Sequence, residues 1–143
     1  MPIGEDIPML IPVSIILTVI VLFLLGTFAD IGEKNDLVRM SQTSLDTLDY
    51  ASNILFSDGH GNMDYNKLRA LGAAYSCQSF TRLNLTMNYK MKINVSDSIS
   101  GKYWCWKNMD DDPEKNSITN YMPTIIINDT NKNLGKVTVI VSK

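Results

Sequence analysis

Apolar positions follow three regimes along this chain, and each predicts a different element. From Ile7 to Phe28 no side chain is charged. A run of about 20 apolar residues, each rising about 1.5 Å, crosses the hydrocarbon core of a bilayer as a helix. A cleaved secretory signal needs a basic leading region, a shorter apolar core and a small-residue cleavage site. Here Glu5 and Asp6 make the leading region acidic and the run is too long, so the segment is expected to be retained. Pro8 suits a first helical turn; Pro12, one turn deeper, is expected to kink the helix near residues 8 to 12.

The second regime is amphipathic. From Glu33 to Asp58 there is no proline or glycine, and apolar residues return at helical intervals. Ile31, Val38 and Leu45 are seven apart, Leu48 and Leu55 continue that face, and Leu37, Ala51 and Ile54 lie beside it. The pattern predicts one helix from about residue 7 to residue 57, apolar all round over 7–28 and amphipathic over 30–57, with Gly26 and Gly32 as points of bending. The alternative is a membrane anchor followed by a separate helix of a globular domain; both bury the same stripe. The stretch "SDGHGNMD", residues 57–64, ends the helix with two glycines and several turn-formers.

The third regime begins after a short helix, "YNKLRAL", with Asp64 as its cap and Gly72 as its close. Leu83, Leu85, Met87, Tyr89, Met91, Ile93 and Val95 alternate with polar residues, which predicts β-structure with one wet face, as one strand or two. "GKYWCWK" is a further strand, and "TIIIND" and "GKVTVIVSK" flank the turn-rich "TNKNLG" as a closing hairpin. Trp104 and Trp106 share one side of their strand and Cys105 takes the other. The tryptophans are therefore a second packing surface or a contact for a neighbour. The fold class is α+β: a long N-terminal helix over 1–57, then a small antiparallel β-rich head over 58–143.

Composition narrows the function. The net charge of −2 equals Glu5 and Asp6, so the rest of the 143 residues is nearly neutral and nothing points to nucleic acid. Enzyme chemistry needs a nucleophile and base, a metal cluster, a phosphate-cradling loop or paired acids. The chain has a single histidine, His60, in a turn, and no glycine-rich phosphate loop. Asp58, Asn62 and Asp64 lack the ligand order of a calcium loop, and Asp110, Asp111, Asp112 and Glu114 read as a solvated turn. No enzyme activity, cofactor, metal or small-molecule substrate is expected.

The cysteines, Cys77 and Cys105, form either a reduced pair or one disulfide, depending on the compartment. Sequons at Asn84, Asn94 and Asn128 favour the outside, and strand alternation puts Asn84 and Asn94 on the wet face. An outside head favours the disulfide, which would close a loop of roughly 28 residues for about 3 kcal/mol. Lys34 and Arg39 follow the apolar run while no basic residue precedes it, which by the positive-inside rule argues for the opposite topology. A basic leader removed ahead of Met1 would reconcile the two.

A long helix, apolar and then amphipathic, followed by a small β-rich head with two cysteines resembles the layout of type IV pilins over the whole chain. The most specific matching position is Glu5, since mature pilins typically carry a glutamate at the fifth position. The close "YMPTIIINDTNKNLGKVTVIV" and the sequons are similar to archaeal pilin-like surface proteins. The resemblance implies an extracellular filament used for adhesion, with the helices as its core and the chain, or related pilins, as its own partner. Before assembly the helix would sit in the membrane. It implies subunit contacts at Glu5, Ile11, Ile15, Val19, Leu22, Leu25, Ile31, Val38 and Leu45. Glu5 would pair with a neighbour's N-terminal amine, because a carboxylate among apolar helices is costly unless paired. Asp6, Pro8 and Pro12 depart from the usual pilin pattern. A second layout that fits is a single-pass anchor displaying a β-sandwich, similar to the stator-type proteins beside the archaeal swimming filament.

Overall fold

The computed structural model describes residues 7–83, 89–108 and 117–143, with backbone alone at 7–11 and at Arg82. Glu5, the side chain of Ile11, Asn84 and the acidic run at 110–114 lie outside the described residues.

The single long helix is present. Helix α1 covers Ile7–Tyr50 and runs unbroken through Pro12, Gly26 and Gly32. It passes directly into a π-helical turn, Ala51–Leu55, closed by the Phe56 N–H donating to the Ala51 carbonyl at 3.1 Å. The helical path therefore ends two residues before the expected boundary. Packing divides the chain elsewhere, into compact units Met1–Val38 and Arg39–Lys143. The described residues from Arg39 onward, including the last turns of α1, form one packed body.

That body is built on a six-stranded sheet. Its strands are β1 (Met63–Asp64), β2 (Cys77–Ser79), β3 (Lys90–Asp97), β4 (Tyr103–Lys107), β5 (Ser117–Asn128) and β6 (Asn131–Ser142), in the order β1-β5-β6-β3-β4-β2. The four central strands are antiparallel as expected. The short edge strands are not: β1 runs parallel to β5 and β2 parallel to β4, so the sheet is mixed. The alternating run divides as well. Leu83 ends a 3-10 turn, Phe80–Leu83, and Lys90–Asp97 is strand β3, while residues 84–88 between them lie outside the described residues.

One face of the sheet holds the core. Ile93 stands opposite Trp106 on β4 and Val139 on β6, and Val95 stands opposite Trp104 and Val137; all six are buried. From α1 and its π turn, Met40, Ser44, Leu48 and Ala51 join this core. Ser44 Oγ donates to the Val139 carbonyl at 3.4 Å, so the helix lies on β6 through a hydroxyl instead of a bulky side chain. Both tryptophans are interior. Trp106 stacks on Phe56 at 4.8 Å and donates its indole N–H to the Leu71 carbonyl at 3.1 Å, while Trp104 meets Tyr65 edge to face at 5.6 Å. Such aromatic pairs add about 0.5–1.5 kcal/mol each beyond the area they bury. The reading of the tryptophans as a contact for a neighbour is thereby replaced by the packing one.

Close approach fixes two glycines. Helix α2, Tyr65–Leu71, is capped by the Asp64 carboxylate accepting from Asn66 N–H at 2.8 Å, and Gly72 closes it. Gly72 is needed for space: a Cβ there would sit 3.0 Å from the Trp106 ring. At Gly135, on β6, a Cβ would lie 2.6 Å from the Ile126 side chain and 3.0 Å from the Ser96 carbonyl.

The closing hairpin is present with a tighter turn than expected. Asp129 and Thr130 alone make it, Asp129 adopting a φ of 53°. Aspartate tolerates that conformation, so the "NKNLG" part of the expected turn is free to enter β6. Beyond the two residues held by β1, the outer edge of β5 from Ser117 to Ile125 has no strand beside it among the described residues. Counting alternate hydrogen-bonded pairs from Asn128↔Asn131 places Pro123 where its nitrogen faces that open edge. An edge is where a strand tolerates proline.

Candidate functional site

The chain offers two surfaces on which function can rest: the exposed side of α1 and the outer face of the sheet. On α1, Ile15, Val19, Leu22 and Leu25 are all exposed, as are Val13, Phe23 and Phe28 around them. This stretch is apolar on every side and exposed on every side among the described residues. It belongs to the one helix, among the described residues, that is long and apolar enough to cross a membrane. Polar character returns at Asp30, whose carboxylate pairs with Lys34 at 2.7 Å on the exposed surface.

In the amphipathic half the expected single stripe separates into two faces. Leu48 and Ala51 are buried against the sheet with Met40, Ser44 and Thr47. Ile31, Val38 and Leu45 are not: they are 52%, 67% and 50% exposed, and Ile54 is exposed with them. At about 100° per residue, positions 31, 38 and 45 fall on the side of the helix opposite 40, 44, 47 and 51. A seven-residue spacing keeps its face almost constant, whereas Ala51 lies on the other side of the cylinder and Leu48 at its flank, turned toward the buried side. Their assignment to one face is corrected accordingly. Ser44 and Thr47 were missed because hydroxyl side chains register as polar in a hydrophobicity pattern, and Met40 because it falls outside the seven-residue series. Their spacing of three and four residues was the available signal.

The loop after the helix spends its polar groups internally. Asp58 accepts from the His60 N–H at 2.7 Å and from the Asn62 N–H and side-chain amide at 3.2 and 3.3 Å. The His60 backbone bond, followed by the bonds from Asn62, holds the Asp58 carboxyl below its ordinary range despite the opposing pull of desolvation. Gly59 and Gly61 supply positive φ angles of 90° and 83° that few other residues would adopt. Lys102 donates to the Tyr65 hydroxyl at 2.7 Å, a bond that raises the pKa of the ammonium.

Asp97 is the buried acid of the head. Its carboxylate accepts from the Ile99 and Ser100 N–H groups at 2.9 and 3.1 Å, from Ser100 Oγ at 2.7 Å and from Asn133 Nδ2 at 2.7 Å. Burial alone would raise its pKa. The donors from Asn133, Ser100 and Ile99 outweigh burial and hold it below the usual carboxylate value. Its lone pairs are consumed in shaping the β3–β4 turn.

Cys77 and Cys105 are bonded, joining residues that stand directly opposite each other in the parallel β2–β4 pair. Asn94 lies on the outer face, half-buried in the central strand β3 between Cys105 and Thr138. Asn128 begins the hairpin turn, with Asp129 and Thr130 exposed beside it. No protein-family model, no curated protein and no solved structure matches the chain, so its function is read from these surfaces.

Proposed function

We propose that the chain is a structural subunit of an extracellular filament of the type IV pilus kind. Its N-terminal helices bundle as the core and its sheet domain is carried on the outside, for surface adhesion. The observation that carries this reading is the exposed apolar line Ile31, Val38 and Leu45, turned away from the helix face that holds the sheet. A helix that served only to anchor a domain would need apolar surface where it meets lipid and against its own domain. Apolar residues on the opposite side, beyond the membrane-length stretch, have a use when another helix lies there. Two β-branched residues and a leucine, spaced seven apart, suit helix-on-helix packing.

The subunit waits in the membrane and exchanges lipid for neighbouring helices on assembly. Both surroundings are apolar, so packing decides. Glu5 pairs with a neighbour's N-terminal amine in the core, and the disulfide belongs to an oxidising exterior. No reaction, cofactor or small-molecule substrate is part of this role.

Electron microscopy of native material tests it: filaments are expected. Val38→Asp and Glu5→Ala should each abolish or sharply reduce filament yield while the unfolding midpoint of the sheet domain stays unchanged. Protein that remains dispersed in membranes in every variant, wild type included, would replace this reading with a monomeric membrane-anchored surface protein.

A further inference from the structure

The outer face of the sheet carries an open concavity of about 470 Å³. Lys92, Asn94, Lys136, Thr138 and Tyr103 line it, and the Cys77–Cys105 disulfide forms part of its wall. Strand register explains the grouping. Asn94 stands between Thr138 and Cys105, and Tyr121 on β5 stands beyond Thr138 in the same row. In the adjacent row Ser96 lies between Lys136 and Tyr103. The polar groups of the two central strands thus have an exposed aromatic ring to either side, Tyr121 on β5 and, one row away, Tyr103 on β4.

Three properties point to a ligand. The Asn94 amide, the Thr138 hydroxyl and the Lys92 ammonium make no hydrogen bond within the chain among the described residues, so their donors and acceptors are available. By contrast, Ser96 Oγ is spent on the Lys136 carbonyl and the Tyr103 hydroxyl on the Tyr75 carbonyl. The charge is one-signed: on β2 to β6 no aspartate or glutamate occupies an outward position among the described residues, and Asp64, at the far edge on β1, is spent capping α2, although the chain as a whole is negative. Third, the rings are held in place. Tyr103 packs edge to face with Tyr75 at 5.6 Å, and Tyr75 sits at a φ of 65°, a conformation that an aromatic residue rarely adopts. Lys136 Nζ lies 5.6 Å from the Tyr121 ring centre.

We infer that this concavity binds an anionic saccharide, a sugar chain bearing carboxylates such as a uronic-acid polymer. The lysines meet the carboxylates, the amide and hydroxyl meet ring hydroxyls, and Tyr103 and Tyr121 offer flat faces to the C–H faces of sugar rings. A lipid tail would cover Lys92, Asn94 and Thr138 without offering them a hydrogen-bond partner. An extended peptide would pair with a strand edge, whereas these groups stand on a sheet face. Nucleic acid would require a broader basic field than a net-negative chain offers. The inference does not depend on whether the helix ends in a filament or in lipid.

The test uses the full chain in a nonionic detergent, titrated calorimetrically with a galacturonic acid hexamer, its methyl-esterified form and poly-glutamate. The acidic hexamer should bind at least tenfold more tightly than either of the others. The Lys92→Gln/Lys136→Gln double variant should lose that binding at least tenfold with an unchanged unfolding midpoint. Asn94→Ala, which leaves the charge in place, should weaken it severalfold. No binding, equal binding of the esterified hexamer, or full binding by the double variant overturns the site. Poly-glutamate binding as tightly as the acidic hexamer overturns the saccharide assignment. A glycan found on Asn94 in native protein overturns it too, since the attached sugar would fill the concavity.

Discussion

The apolar side chains of residues 12–38 and those of the sheet domain meet opposite fates. Leucines, isoleucines and phenylalanines of the first helical stretch stand in the open, with Phe23 70% exposed, while Met40, Met63, Met91, the valines of β3 and β6 and both tryptophans of the domain are almost wholly covered. Hydrophobic burial stabilises by roughly 25 cal/mol per Å² wherever the covering comes from. The domain covers itself, so its stability is a property of the chain. The helix is covered only by something else, so its surroundings are part of its structure. Substitutions in the two regions should therefore be read by different measurements.

The sharpest break in that contrast is Trp106→Ala. Removing the ring that contacts Phe56 and Gly72 and bonds to Leu71 should destabilise the domain by about 3–5 kcal/mol in urea unfolding. Helicity of the apolar stretch should survive in detergent. Reducing the disulfide comes next, at about 3 kcal/mol for a loop of 28 residues. Unfolding midpoints with and without reductant measure it, and mass before and after alkylation confirms the bond.

A smaller effect belongs to Asp97. A carboxyl held below its ordinary value contributes stability that is present above the unfolded-state pKa and lost as pH falls through the folded-state pKa. Wild-type stability should accordingly fall in the acid range, below the ordinary aspartate value of 3.8. Asp97→Asn should cost about 1.5–3 kcal/mol at neutral pH and flatten that acid decline. An unfolding series between pH 2 and 7 tests both. The least effect on the domain is expected from Val38→Ser, within about 0.5 kcal/mol, because that side chain touches nothing the domain needs. A larger loss would mean that the helix faces are less separate than their exposures indicate.

The same contrast explains what the sequence disclosed. A charge-free run and the absence of proline and glycine from Glu33 to Asp58 made the helix legible, because its length is a local property. Strands β3 and β4 and the closing hairpin were legible from alternation. Helix facing was not, because Ser44 and Ala51 allow close approach to the sheet and carry little hydrophobic signal of their own. Edge strands of two and three residues are too short to show a period, so the parallel pairings were hidden. The concavity was hidden too, since Lys92, Asn94, Lys136 and Thr138 come together only through strand register. The rows that group them are set by long-range pairing.

Pro123 bears on a hazard that comes with any array of such domains. Identical sheets held side by side at high local concentration, each with a bare strand edge, can fuse into continuous ladders. On β5 a second strand arriving at that edge would find one rung without a donor, and it would meet the rigid ring there. Lateral recruitment of another copy's strand is thereby discouraged along the stretch that no other strand covers among the described residues. In the filament we propose, neighbouring domains can then be crowded together without merging, and the spacing between copies is left to be set by their helices.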